Sequence, residues 1–562
     1  MNDPFESPAP PAVGAPTPDA APAPAAAATS AAQGRIVGRV GSLLGSSVVG
    51  LLHPADDPDS LAGDVTIGAL IKMKTPQSEV FGIVIGLRGN DTSTITQQAE
   101  GTFDIELMCE AMPDPDAVGG MRYQRGVSIY PALGSPIYMT TRDELAGIYA
   151  RPATSNVRIG SLHQDREVPA FLLTDELLGK HFAVLGTTGS GKSCTVALIL
   201  HAILAQHPNG RIIILDPHNE YTGAFEGMVE VVSPDTMQLP YWLLNFEETV
   251  SVMCSPSGAD RESEIAILSG AILECKKRYF AEKGEKQFVT VDTPVPYRYG
   301  DLIKAIDDEL GKLDKPDTSA PYLRLKSRLE GLRADRRYAF MFSGYVVTDT
   351  LPHVLSQLLR IPVDGKPVTV VDLSGVPSGI VDAMVSVLCR MIFDFALWCS
   401  KPQAAPVLLV CEEAHRYVPA DHAGGFAPTR KSVSRIAKEG RKYGVSLCLV
   451  TQRPSELDMS ILSQCNTVFS LRMGNERDLN YVRDALPEGS QWLLAALPSL
   501  RAQEGIIVGE GVTVSMRVRF DDLPPERQPR SSTANFSTAW QTDVDDPDLI
   551  EDTIEHWRKQ IH

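Results

Sequence analysis

The chain has 562 residues, 43% of them apolar and 22% charged, a balance typical of soluble globular proteins and enough for roughly two to four domains. Its 52 basic and 70 acidic residues leave a formal net charge of −18, which excludes a surface coated in nucleic acid but leaves room for a local basic channel. Nine cysteines are scattered without a C-x-x-C pair, mostly inside apolar runs, so neither a disulfide frame nor a zinc site is expected.

Residues 1–34 are dominated by alanine and proline, a composition that predicts a disordered tail. The start lacks the basic and apolar regions of a signal peptide, and no run approaches the roughly 18 apolar residues of a membrane span. A cytoplasmic protein without membrane contact is expected. From Arg35 the texture changes to short β-branched runs punctuated by glycine and proline, such as "EVFGIVIGL" and "TFDIELMCEAM". These predict a small β-barrel over 35–150.

Beyond Ile159 strands and helices alternate. "HFAVLG", "RIIILD", "PVTVVDL", "PVLLVC", "VSLCLVT" and "TVFSLRM" are short and apolar throughout, as strands covered on both faces should be. A mostly parallel α/β sheet follows, in two parts over 151–255 and 346–524. Between them, residues 256–345 read as a charged helical insertion, and 525–562 as a polar linker and an acidic helical tail.

The first of these strands runs into "GTTGSGKSC", which fits G-x-x-x-x-G-K-[ST] between a strand and a helix. Gly186, Thr187, Thr188, Gly189, Ser190, Gly191, Lys192, Ser193 and Cys194 are therefore assigned to nucleotide binding. Backbone N–H groups converge on phosphate oxygens, Lys192 reaches the β and γ phosphates, and Ser193 binds magnesium. ATP and Mg2+ are the expected cofactors.

The stretch "VLLVCEEAHRYV" ends an apolar strand with two carboxylates, Glu412 and Glu413, which are costly to bury without a cation. A nucleotide's magnesium supplies one. Glu412 is expected to hold the metal through water and Glu413 to polarise the attacking water; the bland alternative is an acidic helix N-cap. Asp216 and Gln452 also sit at strand ends, where open α/β sheets bind ligands. Gln452 would touch the γ-phosphate, although polar residues also simply form turns.

Arg435, Arg441 and Arg453 are candidates for a guanidinium acting on a neighbouring subunit's nucleotide. Arg441 is favoured over the alternative of a solvated helix-terminal arginine. His218 and His415 lack partners at metal-ligand spacing. The insertion's Arg324, Lys326, Arg328, Arg333, Arg336 and Arg337 would either line a DNA path or form ion pairs on a solvated face.

The linked motifs "GTTGSGKS", "LDPHNEY", "VCEEAHRYVP", "KEGRKYGVSLCLVTQRPSELD" and "LPSLRAQEGIIVGEG" resemble the HerA family of hexameric DNA-translocating ATPases, within the HerA/FtsK superfamily. The resemblance covers about residues 35 to 525. It implies a RecA-like P-loop ATPase core, a homohexamer with double-stranded DNA in its pore, and a barrel that docks a nuclease or other effector. It also implies that Lys192, Ser193, Glu412, Glu413, Gln452 and Arg441 serve as argued. The leading expectation is an ATP-driven translocase or helicase in DNA end processing. The alternative is an ATP-regulated ring scaffold for an effector enzyme in anti-phage defence. A small-molecule kinase would leave the barrel without a use.

Overall fold

The computed structural model describes residues 34–52, 65–89, 101–115, 120–233, 236, 239–258, 260–284, 287–312, 316–342, 348–401, 403–421, 426–486, 491–530, 536–541, 546 and 548–559. The tail expected to be disordered lies outside them, apart from Gly34.

Seven strands open the chain: β1 (Ile36–Leu44), β2 (Ser47–Leu52), β3 (Leu70–Lys74), β4 (Glu79–Gly89), β5 (Gly101–Pro113), β6 (Met121–Arg125) and β7 (Pro136–Met139). They lie in the order β2-β1-β7-β3-β4-β5-β6, and a β2–β5 pairing closes the first six into a barrel. Closure removes the exposed edges that short strands would otherwise present. Phe103 fills the interior, where a Cβ on Gly50 would stand 2.5 Å from its ring; glycine is required there by close approach.

The second sheet has eleven strands. In chain order these are β8 (Asn156–Leu162), β9 (Pro169–Leu173), β10 (His181–Leu185), β11 (Ile212–Asp216), β12 (Val229–Val232), β13 (Val368–Asp372), β14 (Val407–Cys411), β15 (Val445–Thr451), β16 (Cys465–Ser470), β17 (Glu504–Gly509) and β18 (Met516–Phe520). Their spatial order is β12-β13-β11-β14-β15-β10-β16-β17-β18-β8-β9. The pairs from β12 to β16 are parallel, and those from β16 through β9 are antiparallel.

The uniformly apolar strands are explained by their two covered faces. Ala183, Leu185, Ile213, Leu215, Leu409, Cys411, Leu447 and Leu449 join one buried cluster. Their alternates Phe182, Val184, Ile212, Ile214, Leu408, Val410, Cys448 and Val450 join the other, with Val196, Ile199, Leu200 and Ile203 of the helix Lys192–Gln206. Each Val, Leu, Ile or Phe among them contributes about 1.5–3 kcal/mol on burial. The second cluster continues into the barrel through Phe81, Ile83, Cys109, Ile148 and Tyr149, so barrel and sheet share apolar packing.

Between β12 and β13 the regular structure is helical, from Phe246–Met253 to Leu351–Leu359. Glu248, fully buried, anchors this region: it caps its own helix and accepts from Ser386 (2.8 Å) and Arg390 (3.1 Å) of the helix Ser378–Trp398. The insertion's cations are largely engaged locally. Arg324 pairs with Asp260, Lys326 with Asp307 (2.7 Å) and Arg337 with Asp335 (2.6 Å), which favours the ion-pair reading of that charge run over a free basic track. Among the described residues no helix is long and apolar enough to cross a membrane.

Candidate functional site

Parallel strands release their following loops at one edge of a sheet. The residues after β10, β11, β14 and β15 therefore converge, although they are spread from Gly186 to Gln452. The Gly186–Ser193 loop is pinned from both sides: Gly186 N–H donates to the Thr451 carbonyl (3.3 Å) and Thr187 N–H to that of Arg472 (3.1 Å). Gly191, the N-cap of the following helix, has φ +95° with open space around its α-carbon. The backbone conformation, not crowding, demands glycine there. The turn aims free N–H groups of the helix N-terminus into the loop, an anion cradle.

Lys192, 8% exposed, donates to the Thr187 carbonyl at 3.3 Å. Burial pulls its pKa down, while the charges of Glu412, Glu413 and Glu220 pull it back up. Ser193 donates to Glu220 at 2.6 Å, and Thr188 donates to the amide oxygen of Gln452. Cys194 lies on the first helical turn with an exposed side chain.

Glu412 and Glu413 are only 3% and 7% exposed. Burial pushes the Glu412 carboxyl well above the usual carboxylate range, although the Tyr221 hydroxyl donates to it at 2.8 Å and favours its charged form. Glu413 has left-handed backbone geometry, φ 51° and ψ 47°, unusual for a residue with a Cβ. Its Oε2 is shielded from solvent and has no hydrogen-bond partner among the described residues.

Sequence reasoning assigned no role to Glu220 or Tyr221, although both lie in the quoted "LDPHNEY". The structure brings Glu220 to Ser193 and Tyr221 to Glu412. Asp216 makes this possible. Fully buried, it accepts from the His218 and Tyr221 N–H groups (3.2 and 2.9 Å) and so folds the turn that returns Tyr221 to the strand ends. Of its two readings, turn formation is the one observed. The signal available in the sequence was an aspartate and a tyrosine five residues apart around a Pro-His-Asn-Glu turn.

The three arginines have separate fates. Arg453 pairs with Glu456 (3.0 Å), and Arg435 lies over the Phe393 ring and 3.5 Å from Asp394. Arg441 occupies the last turn of the helix Ala427–Tyr443, just before β15 begins. It is thus at the opposite edge of the sheet from its own phosphate loop. Its exposed side chain makes no hydrogen bond or ion pair among the described residues, and it lines a cavity of about 790 Å³ with Arg211, His207 and Gln403.

Among the described residues no group of three or more His, Cys, Asp or Glu side chains could hold a metal by itself. The Ser193 hydroxyl and the Glu412 carboxylate are nonetheless the hard oxygen donors that magnesium takes when phosphate and water complete its shell. With the orphaned Glu413 oxygen beside them, the donor set fits a magnesium nucleotide.

A strand-loop-helix phosphate cradle, a buried lysine within it and a carboxylate pair two strands away define a P-loop ATPase with a RecA-like core. The family described as "Helicase HerA, central domain" matches residues 157–392. The chain is 29% identical over 404 residues to "Probable helicase MJ1565" of Methanocaldococcus jannaschii, covering 70% of this chain and 71% of that one. It is 28% identical over 425 residues to "DNA double-strand break repair helicase HerA" of Pyrococcus furiosus, covering 69% and 73%. A solved structure of VirB4 of Thermoanaerobacter pseudethanolicus is 18% identical with a TM-score of 0.46, covering 67% of this chain and 98% of that one. Over these stretches the chain is similar to HerA helicases, and it is an ATP hydrolase.

Proposed function

We propose that the chain hydrolyses ATP to drive duplex DNA through a ring of six copies, and that its N-terminal barrel docks a nuclease in DNA end processing. The relatives named as DNA double-strand break repair helicases support the DNA substrate. The observation that carries the ring is the division of the site: Lys192, Ser193, Glu412, Glu413 and Gln452 converge at one edge of the sheet, while Arg441 stands at the other, unpartnered among the described residues.

In this reading the N–H groups of Gly189 and Gly191–Cys194 orient the phosphates, and Lys192 neutralises charge on the β and γ groups. Glu413, with an oxygen free of hydrogen bonds among the described residues, accepts the proton of the attacking water. Gln452, touching the loop through Thr188, reports on the γ-phosphate. Magnesium, when bound, would be held by Ser193 and, through water, Glu412, and would neutralise developing phosphate charge. Arg441 acts on the next subunit's nucleotide.

The test is steady-state ATP hydrolysis with and without duplex DNA, together with displacement of a protein roadblock from the duplex. Stimulation by DNA with directional displacement is expected. Assembly with an effector enzyme without either response would contradict translocation and support the ring-scaffold alternative.

A further inference from the structure

The orphaned oxygen of Glu413 has a neighbour able to hold it, His415. His415 follows in the one-turn helix Ala414–Arg416, and its side chain is 14% exposed against 9% for that of Glu413. Its Nδ1 lies 3.3 Å from Glu413 Oε2, yet its hydrogen bond is to Thr451 Oγ1 at 3.0 Å. Thr451 is fully buried at the end of β15; its Oγ1 also accepts from Arg453 N–H (3.1 Å), and its carbonyl accepts from Gly186 N–H. The next residue, Gln452, touches the phosphate loop through Thr188.

One imidazole nitrogen therefore faces two partners and serves one. A neutral imidazole has a single N–H, and a proton at Nδ1 directed to Thr451 leaves the carboxylate oxygen free, whereas directed to Glu413 it occupies that oxygen. The two arrangements require only a small rotation of side chains already within reach. The left-handed backbone at Glu413 keeps its carboxylate beside the ring, where an ordinary strand-end residue would point elsewhere.

We propose that His415 is a positioning residue that holds or releases the Glu413 carboxylate according to the position of Thr451, so that contact between Gln452 and the nucleotide is transmitted to the group that activates water. This inference rests on the reading of Glu413 given above. It gives the sensor strand a physical route to the chemistry: phosphate loop, Gln452, Thr451, His415, Glu413. It also explains why a polar ring stands half-shielded between two strand ends with no ligand spacing around it.

The experiment compares His415→Phe, which keeps the ring and removes the nitrogen, with His415→Asn, whose amide N–H sits near the position of Nδ1. In the full-length protein, His415→Phe should lose about tenfold in kcat for ATP, less than the roughly hundredfold or more supplied by a proton-transfer group itself, with KM changed by less than about twofold. His415→Asn should recover most of the loss. In a Glu413→Gln background His415→Phe should have no further effect, since the group it positions is gone.

Wild-type kcat in His415→Phe, or an equal defect in the asparagine variant with retained ATP binding, would overturn the proposal. Full additivity with Glu413→Gln would do the same. Wild-type activity of Glu413→Gln by itself would instead remove the assignment of Glu413, so the two failures are distinguishable.

Discussion

The two edges of the parallel sheet, where its strands end and where they begin, differ in charge and in packing. At the edge where the strands end, Lys192, Ser193, Glu220, Tyr221, Glu412 and Gln452 are linked by short hydrogen bonds and mutual fields. At the edge where the strands begin, Arg441 is exposed and unpaired among the described residues, beside a cavity it shares with Arg211. The first edge is a closed network built around anions. The second is cationic and open, the arrangement expected of a surface whose counterpart lies on another molecule. In the proposed ring, one edge would bind nucleotide and the other would complete a neighbour's site across an interface.

The contrast can be broken most severely at Lys192. Its ammonium is held among three carboxylates, and Lys192→Ala removes the positive charge that compensates them and meets the phosphates. Hydrolysis should fall by about a thousandfold or more, with weakened nucleotide binding in equilibrium titration. Unchanged affinity and turnover would mean that the loop does not carry the substrate.

A smaller effect is expected at Tyr221, whose hydroxyl steadies the charged form of the buried Glu412. Tyr221→Phe leaves that carboxylate without its donor, a loss of about 1.5–3 kcal/mol for a charged hydrogen bond. The Mg2+ concentration needed for half-maximal hydrolysis should rise several-fold, measured by magnesium titration at saturating ATP. No change would detach Tyr221 from the carboxylate's function.

The other edge gives a gentler, pH-dependent test. His181, buried at the start of β10, accepts from Leu447 N–H at 3.0 Å, and burial lowers its pKa, with Arg441 acting in the same direction. Its native form is therefore neutral where the unfolded chain takes up a proton near the ordinary 6.5. The stability it contributes is complete above that value and is lost as pH falls through the lowered native pKa, by at most about 1.4 kcal/mol per unit. Thermal melts from pH 7.5 to 5 should fall less steeply for His181→Asn than for the parent. Parallel slopes would show that His181 titrates alike in both states.

Legibility from sequence followed the length scale of each interaction. The phosphate loop was readable because its glycines, lysine and serine are contiguous, and the six strands were readable because both-face burial leaves an unbroken apolar run. The double glutamate was readable as an energetic oddity. Glu220 and Tyr221 were not, because their partners Ser193 and Glu412 are 27 and 191 residues away, and polar residues in a turn look alike until the turn is placed. The antiparallel extension was also hidden: β18 pairs with β8, joining Phe520 to Gly160, and no local pattern encodes that. The position of Arg441 at a helix end just before a strand was legible, but its separation from its own phosphate loop emerged only with the strand order.

The central claim, that one chain's nucleotide site is finished by another's Arg441, is tested most directly by mixing inactive proteins. Arg441→Ala retains an intact loop and both glutamates, whereas Lys192→Ala retains an intact arginine. Phosphate release should be low for each alone and should recover over a series of mixing ratios, because some interfaces then pair a complete loop with a complete arginine. Native mass measurement establishes co-assembly and the number of copies in the ring. Recovery peaking at intermediate ratios is the predicted result. No recovery despite confirmed co-assembly, or full activity of Arg441→Ala by itself, would contradict the account.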